Sequence, residues 1–385
     1  MLRYLPLVAK NCLRNRRRTI LTIFSVAASL SLLGVLVAIY AAVYLSDTPP
    51  AQALRLAVRN KVSLVFTMPE AYSMKIKTIP GVREVMTMQW FGGLYKDETP
   101  HNIFPRFAVD PDKLFTVYNE VKIPEDQKLA FIREQTACVI GKSLERKLNV
   151  HVGDRITLKG DIFPVTLELT VRGIFEAPED DELLYFHRKY LDESIRGRLK
   201  GEVGMYMILA DSAESVPRIA AAVDDQFRNS PVQTKTESER AFQLGFVNAL
   251  GNVKGFLLSI CAAVTFTILL VSGNTMAMSV RERVREVGIL KTLGFTRESI
   301  LGIILGEALL LALIGGVLGL ALAQALCMFV RQAPAFISQT KTLTIQPLVG
   351  LGCLALAGAI GLVSSFVPAW GAARTSIVEA LRRND

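Results

Sequence analysis

Residues 255–286 read GFLLSICAAVTFTILLVSGNTMAMSVRERVRE, and this stretch decides the class of fold. It has no Asp, Glu, Lys or Arg from Gly255 to Val280, and it ends in a dense cluster of charges. An α-helix needs about 20 apolar residues to cross the roughly 30 Å of hydrocarbon in a bilayer. The stretch therefore predicts a transmembrane helix that stops at one face of a membrane.

Three further runs share this character. Ile20–Leu45 and Thr342–Ala373 contain no charged residue, and Ser299–Val330 contains only Glu307. Uncharged stretches of this length are rare in soluble domains, and the first is longer than the apolar part of a signal peptide, about 7–15 residues. The sequence therefore predicts four membrane-spanning helices, with these bounds: 20–45, 253–279, 299–330 and 347–370.

The distribution of charge predicts the topology. The net charge is +9, but residues 46–252 hold 27 basic against 29 acidic residues. The positive excess flanks the apolar runs, since residues 1–18 carry six basic groups and no acid, and residues 280–298 carry five against three. Short cation-rich segments stay in the cytoplasm and meet anionic lipid. We therefore expect a multi-pass protein of the inner (plasma) membrane with both termini in the cytoplasm, and no binding of nucleic acid.

Five segments lie outside the apolar runs. The largest, 46–252, is expected to be a periplasmic domain, because it lies between two spans and is long enough to bury its own core. Its one cysteine, Cys138, cannot close an internal disulfide. The other four segments are a cytoplasmic amphipathic helix at 1–19, a cytoplasmic helix at 280–298, a short periplasmic loop at 331–346 and a cytoplasmic tail at 371–385.

The pattern within the large segment predicts an α+β domain that contains a β-rich insertion. We expect α/β halves at about 60–96 and 203–237, each made of a strand, a helix and a second strand. Two such units favour a split β-α-β sheet. The residues between them, 97–202, predict mainly strands, preceded by a short helical stretch at Leu144–Asn149.

Two local predictions bear on how this domain is built and connected. Residues 61–67 alternate apolar and polar side chains, which is typical of a strand. Residues 238–254 have helical spacing, and we expect one continuous helix that joins the domain rigidly to the second membrane helix.

Residues with catalytic or metal-binding chemistry do not form a recognisable pattern. Gly141-Lys142-Ser143 resembles the end of a phosphate-binding loop, but Thr136 stands where that loop needs its first glycine. The histidines are scattered, at His101, His151 and His187, without a second ligand at metal-site spacing. We therefore expect no catalytic residue, no metal site and no cofactor on this chain.

Within the membrane runs, one acidic residue and several glycines are candidates for a functional or packing role. Glu307 is a charge inside a span, for which a structural role is favoured about two to one over a transport role. Gly302 with Gly306, and Gly315 with Gly319, have the four-residue spacing that lets helix backbones approach closely in lipid. The spacing leaves open whether they pack within the chain or against a second copy.

The charged cluster after the second span predicts a short amphipathic helix. Its charges are expected on one face and four apolar residues on another: Val284, Val287, Ile289 and Leu293. Such a helix either lies on lipid or docks a cytoplasmic partner.

This cluster resembles the signature of the FtsX-like permease superfamily, which includes MacB-type exporters and lipoprotein-release permeases. The family pattern of charges, glycines and a leucine runs from Glu282 to Gly294. Further segments are similar to the family's helices and periplasmic core domain: Leu13–Thr19, Gly153–Leu158, Val171–Phe175, Gly306–Leu311, Pro368–Arg374 and Val378–Arg382.

The resemblance implies the permease subunit of an ABC transporter that works by mechanotransmission, for export or extraction of a substrate. It implies a cytoplasmic ABC ATPase as partner, expected as a separate chain that binds ATP and Mg²⁺, and a second permease, identical or a paralogue. A periplasmic adaptor is a further expected partner. The resemblance places ATPase coupling on Arg281, Glu282, Arg283, Arg285, Glu286, Gly288, Lys291, Leu293 and Gly294. Independently of the resemblance, helix packing is expected at Gly302, Gly306, Glu307, Gly315 and Gly319.

A regulatory function is the alternative to transport. Division members of the superfamily control a periplasmic cell-wall hydrolase, so a regulatory membrane protein is the second hypothesis. An ion-coupled carrier is disfavoured, because paired charges inside the spans are lacking. The sequence does not identify a substrate.

Overall fold

The computed structural model describes residues 16–45, 48–178, 182–197, 199–249, 251–282, 284–332 and 343–375. The expected N-terminal helix and C-terminal tail fall largely outside these ranges, as do Arg283 and most of the loop at 331–346. The chain divides into two compact units. One contains residues 1–46 and 251–385, and the other contains residues 47–250.

The first unit is built from long apolar helices joined by one short helix. In chain order these are α1 (Arg16–Tyr40, continued by a π-helical turn Ala41–Leu45), α10 (Val253–Glu282), α11 (Val284–Thr292), α12 (Arg297–Gln332) and α13 (Pro347–Arg374). The second unit contains α2 (Pro50–Ala53), α3 (Tyr72–Lys77), α4 (Pro111–Val117), α5 (Glu125–Arg133), α6 (Lys142–Leu148), α7 (Arg188–Ser194), α8 (Val216–Gln226) and α9 (Glu239–Ala249).

Within the described ranges, every strand belongs to the second unit. They are β1 (Arg55–Asn60), β2 (Met68–Pro69), β3 (Val82–Trp90), β4 (Gly93–Leu94), β5 (Arg106–Val109), β6 (Ala137–Gly141), β7 (Arg155–Gly160), β8 (Thr166–Phe175), β9 (Leu184–His187), β10 (Glu202–Val203), β11 (Met205–Ala210) and β12 (Thr234–Ser238).

Among the residues that the structure describes, four helices are long and apolar enough to cross a membrane. They cover Thr19–Leu45, Val253–Glu282, Arg297–Arg331 and Pro347–Arg374. They pack through an apolar core in which Leu30 and Leu33 of α1 meet Ile268 of α10 and Ile360 of α13. Together with the α/β unit, they confirm the predicted fold class.

The second unit is organised by one ten-stranded sheet in the order β12-β1-β11-β3-β5-β9-β6-β8-β7-β4. The first four strands in this order are all antiparallel neighbours. Strand β11 lies between β1 and β3, which α3 connects, and this is the split β-α-β arrangement. Helices α3 and α8 pack on this part through Ile76, Ile219 and Val223.

The insertion extends the same sheet. Its strands β5 with β9, and β6 with β8, pair in parallel, while β6 with β9 and β7 with β8 pair antiparallel. A second core fills this end around Phe91, Ile156, Leu167 and Phe186. In the described residues the insertion also carries four helices, α4–α7, of which the sequence pattern predicted only α6.

The strand predicted at 61–67 is wrong. The strand lies earlier, at β1, and the chain then turns because the Asn60 side chain accepts the backbone N–H of Val62 at 2.9 Å. The Ser63 hydroxyl accepts the N–H of Val65 at 3.3 Å. These local bonds replace a strand ladder, so the alternating apolar side chains Val62, Leu64 and Phe66 are exposed, with Val62 80% accessible.

The continuous helix predicted at 238–254 is also wrong. Helix α9 ends at Ala249 and α10 begins at Val253. Between them Gly251 has a φ of +107°, a conformation that a helix cannot contain. Asn252 then caps α10, since its side-chain oxygen accepts the N–H of Gly255 at 2.9 Å.

Candidate functional site

Helix α11 connects α10 and α12 and carries four of the nine predicted coupling residues: Arg285, Glu286, Gly288 and Lys291. Its inner face is apolar: Val284, Val287 and Gly288 are buried. Val287 packs with Ile300 of α12 and Ala373 of α13. The short helix is therefore fixed by apolar contacts to two of the long helices.

The four apolar residues of this segment do not share one face, and the prediction that they do is wrong. Val284 and Val287 point inward, whereas Ile289 is 47% and Leu293 70% accessible. A helix turns about 100° per residue, which places Ile289 and Leu293 roughly 140–180° away from Val284. Arg285 is exposed on the same side. We name Arg285, Ile289 and Leu293, spaced four residues apart, the coupling face.

The end of α11 is held by a Schellman motif. The N–H of Phe295 bonds the carbonyl of Leu290, and the N–H of Gly294 bonds the carbonyl of Lys291, each at 3.1 Å. Gly294 has a φ of +90°, which favours glycine. Leu290 and Phe295 pack against the same small core. Gly294 thus has a conformational role in the turn.

Lys291 ties α11 to the last membrane helix. Its ammonium group donates to the carbonyl of Ala373 at 2.9 Å and also to that of Thr375. These carbonyls lie at the C-terminal end of α13, where helix carbonyls lack partners and the helix dipole favours a cation. Burial, followed by the positive charge of Arg297, lowers the pKa of Lys291. The side chain therefore serves an internal contact.

The remaining predicted coupling residues are distributed around the segment. Arg281 and Glu282 form the exposed end of α10, and Glu286 on α11 is half-buried. Arg283 lies outside the described residues. The structure therefore divides the predicted set into residues that reach solvent and residues that hold the segment in place.

For two of the predicted packing glycines, Gly315 and Gly319, the structure shows which helix lies against them. A Cβ added at Gly315 would lie 2.8 Å from Cγ1 of Val26, and one at Gly319 would lie 2.7 Å from the carbonyl oxygen of Ala27. Both neighbours belong to α1, so these two glycines pack within the chain. Their absent side chains let α12 and α1 approach closely.

Glu307 lies inside the helical unit and is only 4% accessible. Ala308, the next residue, packs with Met276 and Val280 of α10. Gly302 and Gly306 are half-buried. The structure thus places this acid in the interior of the membrane unit.

The sequence did not indicate a buried ion network in the second unit. Arg55, the first residue of β1, is 4% accessible and pairs with Glu239, the first residue of α9. It also pairs with Glu120 at 2.8 Å, and its guanidinium lies 4.6 Å from the ring centre of Tyr118. We name these four residues the Arg55 clamp.

The clamp joins the two ends of the second unit. Arg55 opens the first strand after α1, and Glu239 opens the last helix before α10. Burial opposes the charge on Arg55, but Glu239 and Glu120 more than offset this effect and raise its pKa. Burial, followed by the charge of Glu239, raises the pKa of Tyr118 well above its usual range. No spacing signal could reveal the pair, because 184 residues separate its members.

The residues that the structure describes contain no group of three or more His, Cys, Asp or Glu side chains that could hold a metal ion. His187, one of the three histidines of the sequence, is buried, and its Nε2 lies 2.6 Å from the carbonyl oxygen of Phe131. Burial lowers the pKa of His187. This histidine contributes to the interior of the second unit.

Two family models match the chain. The model described as "MacB-like periplasmic core domain" matches residues 19–226. The model described as "FtsX-like permease C-terminal" matches residues 256–377. The first covers more than half of the chain, and the second contains α11 and the coupling face.

Individual relatives extend this similarity. An uncharacterized ABC transporter permease of Methanocaldococcus jannaschii is 25% identical over 347 residues, which is 84% of this chain and 84% of that protein. The macrolide export ATP-binding/permease protein MacB of Photorhabdus laumondii is 38% identical over 114 residues, 29% of this chain and 16% of that protein. The pyoverdine export ATP-binding/permease protein PvdT of Pseudomonas putida is 33% identical over 178 residues, 45% of this chain and 26% of that protein. The alignments thus span only a minor part of the two bacterial proteins.

Solved structures resemble about half of the chain. The periplasmic region of MacB from Actinobacillus actinomycetemcomitans has a TM-score of 0.39 at 8% identity, and the match covers 51% of this chain and 93% of that structure. The extracellular domain of the transporter YknZ from Gram-positive bacteria has a TM-score of 0.35 at 12% identity, covering 48% of this chain and 99% of that structure.

Proposed function

This chain belongs to the FtsX-like permeases with a MacB-like periplasmic core domain, which makes it an ABC transporter permease, and from this premise we propose that it couples a cytoplasmic ABC ATPase to its outer domain. ATP binding and hydrolysis in the ATPase would move the outer domain and so drive export or extraction of a substrate. ATP and Mg²⁺ are bound by the ATPase. The permease supplies the mechanical connection.

The observation that carries this proposal is the coupling face. Ile289 and Leu293 expose apolar surface beside the cation Arg285, at the end of a helix whose other side is buried. An apolar patch with a charged rim is typical of a protein contact. A cytoplasmic location follows from the positive charge of this segment, with both chain termini on the same side.

The fixation of α11 supports a mechanical role. Apolar contacts hold its inner face, Gly294 holds its turn, and Lys291 holds it to the end of α13. A force applied to the coupling face therefore acts on α12 and α13 together, because a packed interior transmits strain. A loosely attached helix would absorb the same force.

The Arg55 clamp supports the other end of the same proposal. The two chain segments that connect the outer unit with membrane helices α1 and α10 begin beside one buried ion pair. A displacement of either segment therefore acts on both β1 and α9. We propose that the clamp passes the displacement of the membrane helices on to β1 and α9 together.

Co-expression with the candidate ATPase tests the proposal. We expect the wild type to purify in nanodiscs as a complex of stable mass, and Leu293→Asp to weaken ATPase binding at least tenfold, since it places a charge in the apolar centre of the contact. Val65→Asp is the matched control, because it adds the same charge at an exposed apolar residue of the outer unit.

Binding of the ATPase by wild type and control, but not by Leu293→Asp, supports the coupling face. Equal binding by all three would contradict it. If no form binds an ATPase, the chain acts as a membrane receptor or regulator, and the transport proposal fails.

A further inference from the structure

A small cavity lies inside the membrane unit, between α1, α10, α12 and α13. Its volume is about 20 Å³, counted as the space that the centres of water molecules can occupy. Six of the twelve residues that line the cavity carry a hydroxyl group: Thr22, Ser272, Thr275, Ser279, Ser364 and Ser365. The neighbouring core around Leu30 and Ile268 is apolar, so the cavity differs from it in chemistry.

Small side chains explain why the cavity exists. Helix α10 approaches α13 at Gly273, where an added Cβ would lie 3.5 Å from the carbonyl oxygen of Ser364. Helix α12 approaches α13 at Gly361, where an added Cβ would lie 2.7 Å from Cβ of Ala312. Such residues let helix backbones come close together. Glycine, alanine and serine are also too short to fill the space beside these contacts.

Three of the lining hydroxyls present acceptors to the cavity. Ser365 and Ser364 donate to the carbonyl of Gly361 at 2.6 and 3.3 Å, and Thr275 donates to the carbonyl of Val271 at 2.8 Å. A hydroxyl group has one proton and two lone pairs. Because these three protons are used within the helices, only oxygen lone pairs are left for a molecule in the cavity.

The hydroxyl of Ser279 has no such partner. Ser279 is 6% accessible, and among the residues that the structure describes its hydroxyl makes no hydrogen bond. A buried hydroxyl without a partner is unfavourable, and lipid tails offer it neither donor nor acceptor. Since Ser279 lines the cavity, a molecule bound there can supply the missing hydrogen bond.

We propose that the cavity is a binding site for one water molecule, which accepts a hydrogen bond from Ser279 and donates to hydroxyl oxygens of α10 and α13. The space is sufficient, since a water molecule needs at least about 10–15 Å³ by the same measure. A buried water typically makes about three hydrogen bonds, and this arrangement provides that number. A cation does not fit, because the lining residues carry no charge and an uncompensated charge inside a membrane is costly.

The water site goes beyond the proposed function, because it assigns a ligand to the interior of the membrane unit. Helix α10 needs such a contact more than the other spans do: only 6% of its most apolar window is buried, against 28–44% for the other three. Lys291 already bonds the end of α13 from the segment that follows α10. The water joins α10 to α13 at a second point, within the apolar part of both helices.

A density map of the full chain in nanodiscs, at a resolution that shows ordered water, tests the site directly. We expect a compact peak at about 2.5–3.0 Å from Oγ of Ser279, the usual distance between two hydrogen-bonded oxygens. A cavity without density would overturn the proposal. Elongated density from a lipid or detergent chain would overturn it as well.

X-ray radiolysis tests the site in solution, because hydroxyl radicals formed from a bound water oxidise the side chains beside it. Met276 lines the cavity and is 7% accessible, whereas Cys353 on α13 is 6% accessible and does not line it. Both side chains contain an oxidisable sulfur. We expect oxidation of Met276, and little of Cys353, in the wild type.

Ser279→Val is expected to abolish the oxidation of Met276, because the larger apolar side chain removes the hydroxyl and fills the cavity. Ser259→Val is the matched control on the same helix, since Ser259 is exposed and its hydroxyl donates to the carbonyl of Phe256 at 2.8 Å. This variant should keep the oxidation of Met276. Oxidation of Met276 no stronger than that of Cys353 in the wild type, or unchanged in Ser279→Val, would refute the bound water.

Discussion

The Arg55 clamp allows a quantitative prediction from the substitution Glu239→Gln. The change keeps the shape of the side chain and an oxygen that can accept from Arg55, but it removes the negative charge. Arg55 is 4% accessible, so its charge cannot be screened by water in the folded state. The neutralised partner leaves a buried cation with one carboxylate, Glu120, at 2.8 Å.

The expected loss follows from this geometry. Removing one partner of a buried ion pair typically costs about 3–5 kcal/mol, and the remaining carboxylate places this case near the lower limit, at about 3 kcal/mol. Glu237→Gln is the matched control, two residues earlier. Glu237 pairs with Arg59 at 3.4 Å, and both side chains are about one fifth accessible. Its loss should cost less than about 1 kcal/mol.

Urea unfolding of residues 47–250 measures both changes, because these residues form a compact unit with cores of their own. Glu239→Gln should lower the midpoint concentration without changing the slope of the transition. A loss for Glu239→Gln that does not exceed the loss for Glu237→Gln would refute the argument that Arg55 depends on a buried pair.

Three further predictions follow from individual residues. Gly294→Ala should destabilise the full chain by about 1 kcal/mol, seen as a lower melting temperature in detergent, because φ is +90° there while no atom lies within 4 Å of the added Cβ. Gly319→Ala should lower the melting temperature, whereas Gly352→Ala, with open space around its Cβ, should leave it unchanged. Burial lowers the pKa of His187, so the folded state binds its proton less readily than the unfolded state. The neutral His187 therefore contributes stability that is fully present above the pKa of the unfolded state, about 6.5, and is lost as the pH falls below that value, by at most about 1.4 kcal/mol per pH unit. Urea titrations of residues 47–250 between pH 7 and pH 5 should show that the free energy of unfolding depends less on pH in His187→Gln than in the wild type.

The sequence predicted the membrane helices because one quantity decides them. A helix must cover about 30 Å of hydrocarbon without charge, and this requirement can be read directly from composition. The split β-α-β frame could be read from periodicity and order of elements. Long-range pairing could not: Arg55 and Glu239 are 184 residues apart, and nothing local distinguishes either from a surface residue.

The errors have equally specific causes. Alternation at 61–67 resembled a strand, but side-chain bonds from Asn60 and Ser63 turn the backbone instead. Helical spacing at 238–254 continued through Gly251, whose positive φ ends the helix. In the coupling segment the composition predicted an amphipathic helix correctly. Which of its residues are buried depends on how α11 packs against α12 and α13, and this packing cannot be read from the sequence.

Hydrogen exchange of the complex with and without ATP measures whether motion passes from the coupling face to the outer domain. The amides of β1 and α9, which meet at the Arg55 clamp, should change their exchange rates on ATP binding in the wild type and in Val65→Asp. They should not change in Leu293→Asp. If the complex binds ATP and remains intact, but exchange in β1 and α9 is the same with and without nucleotide, then the ATPase does not move the outer domain through the coupling face.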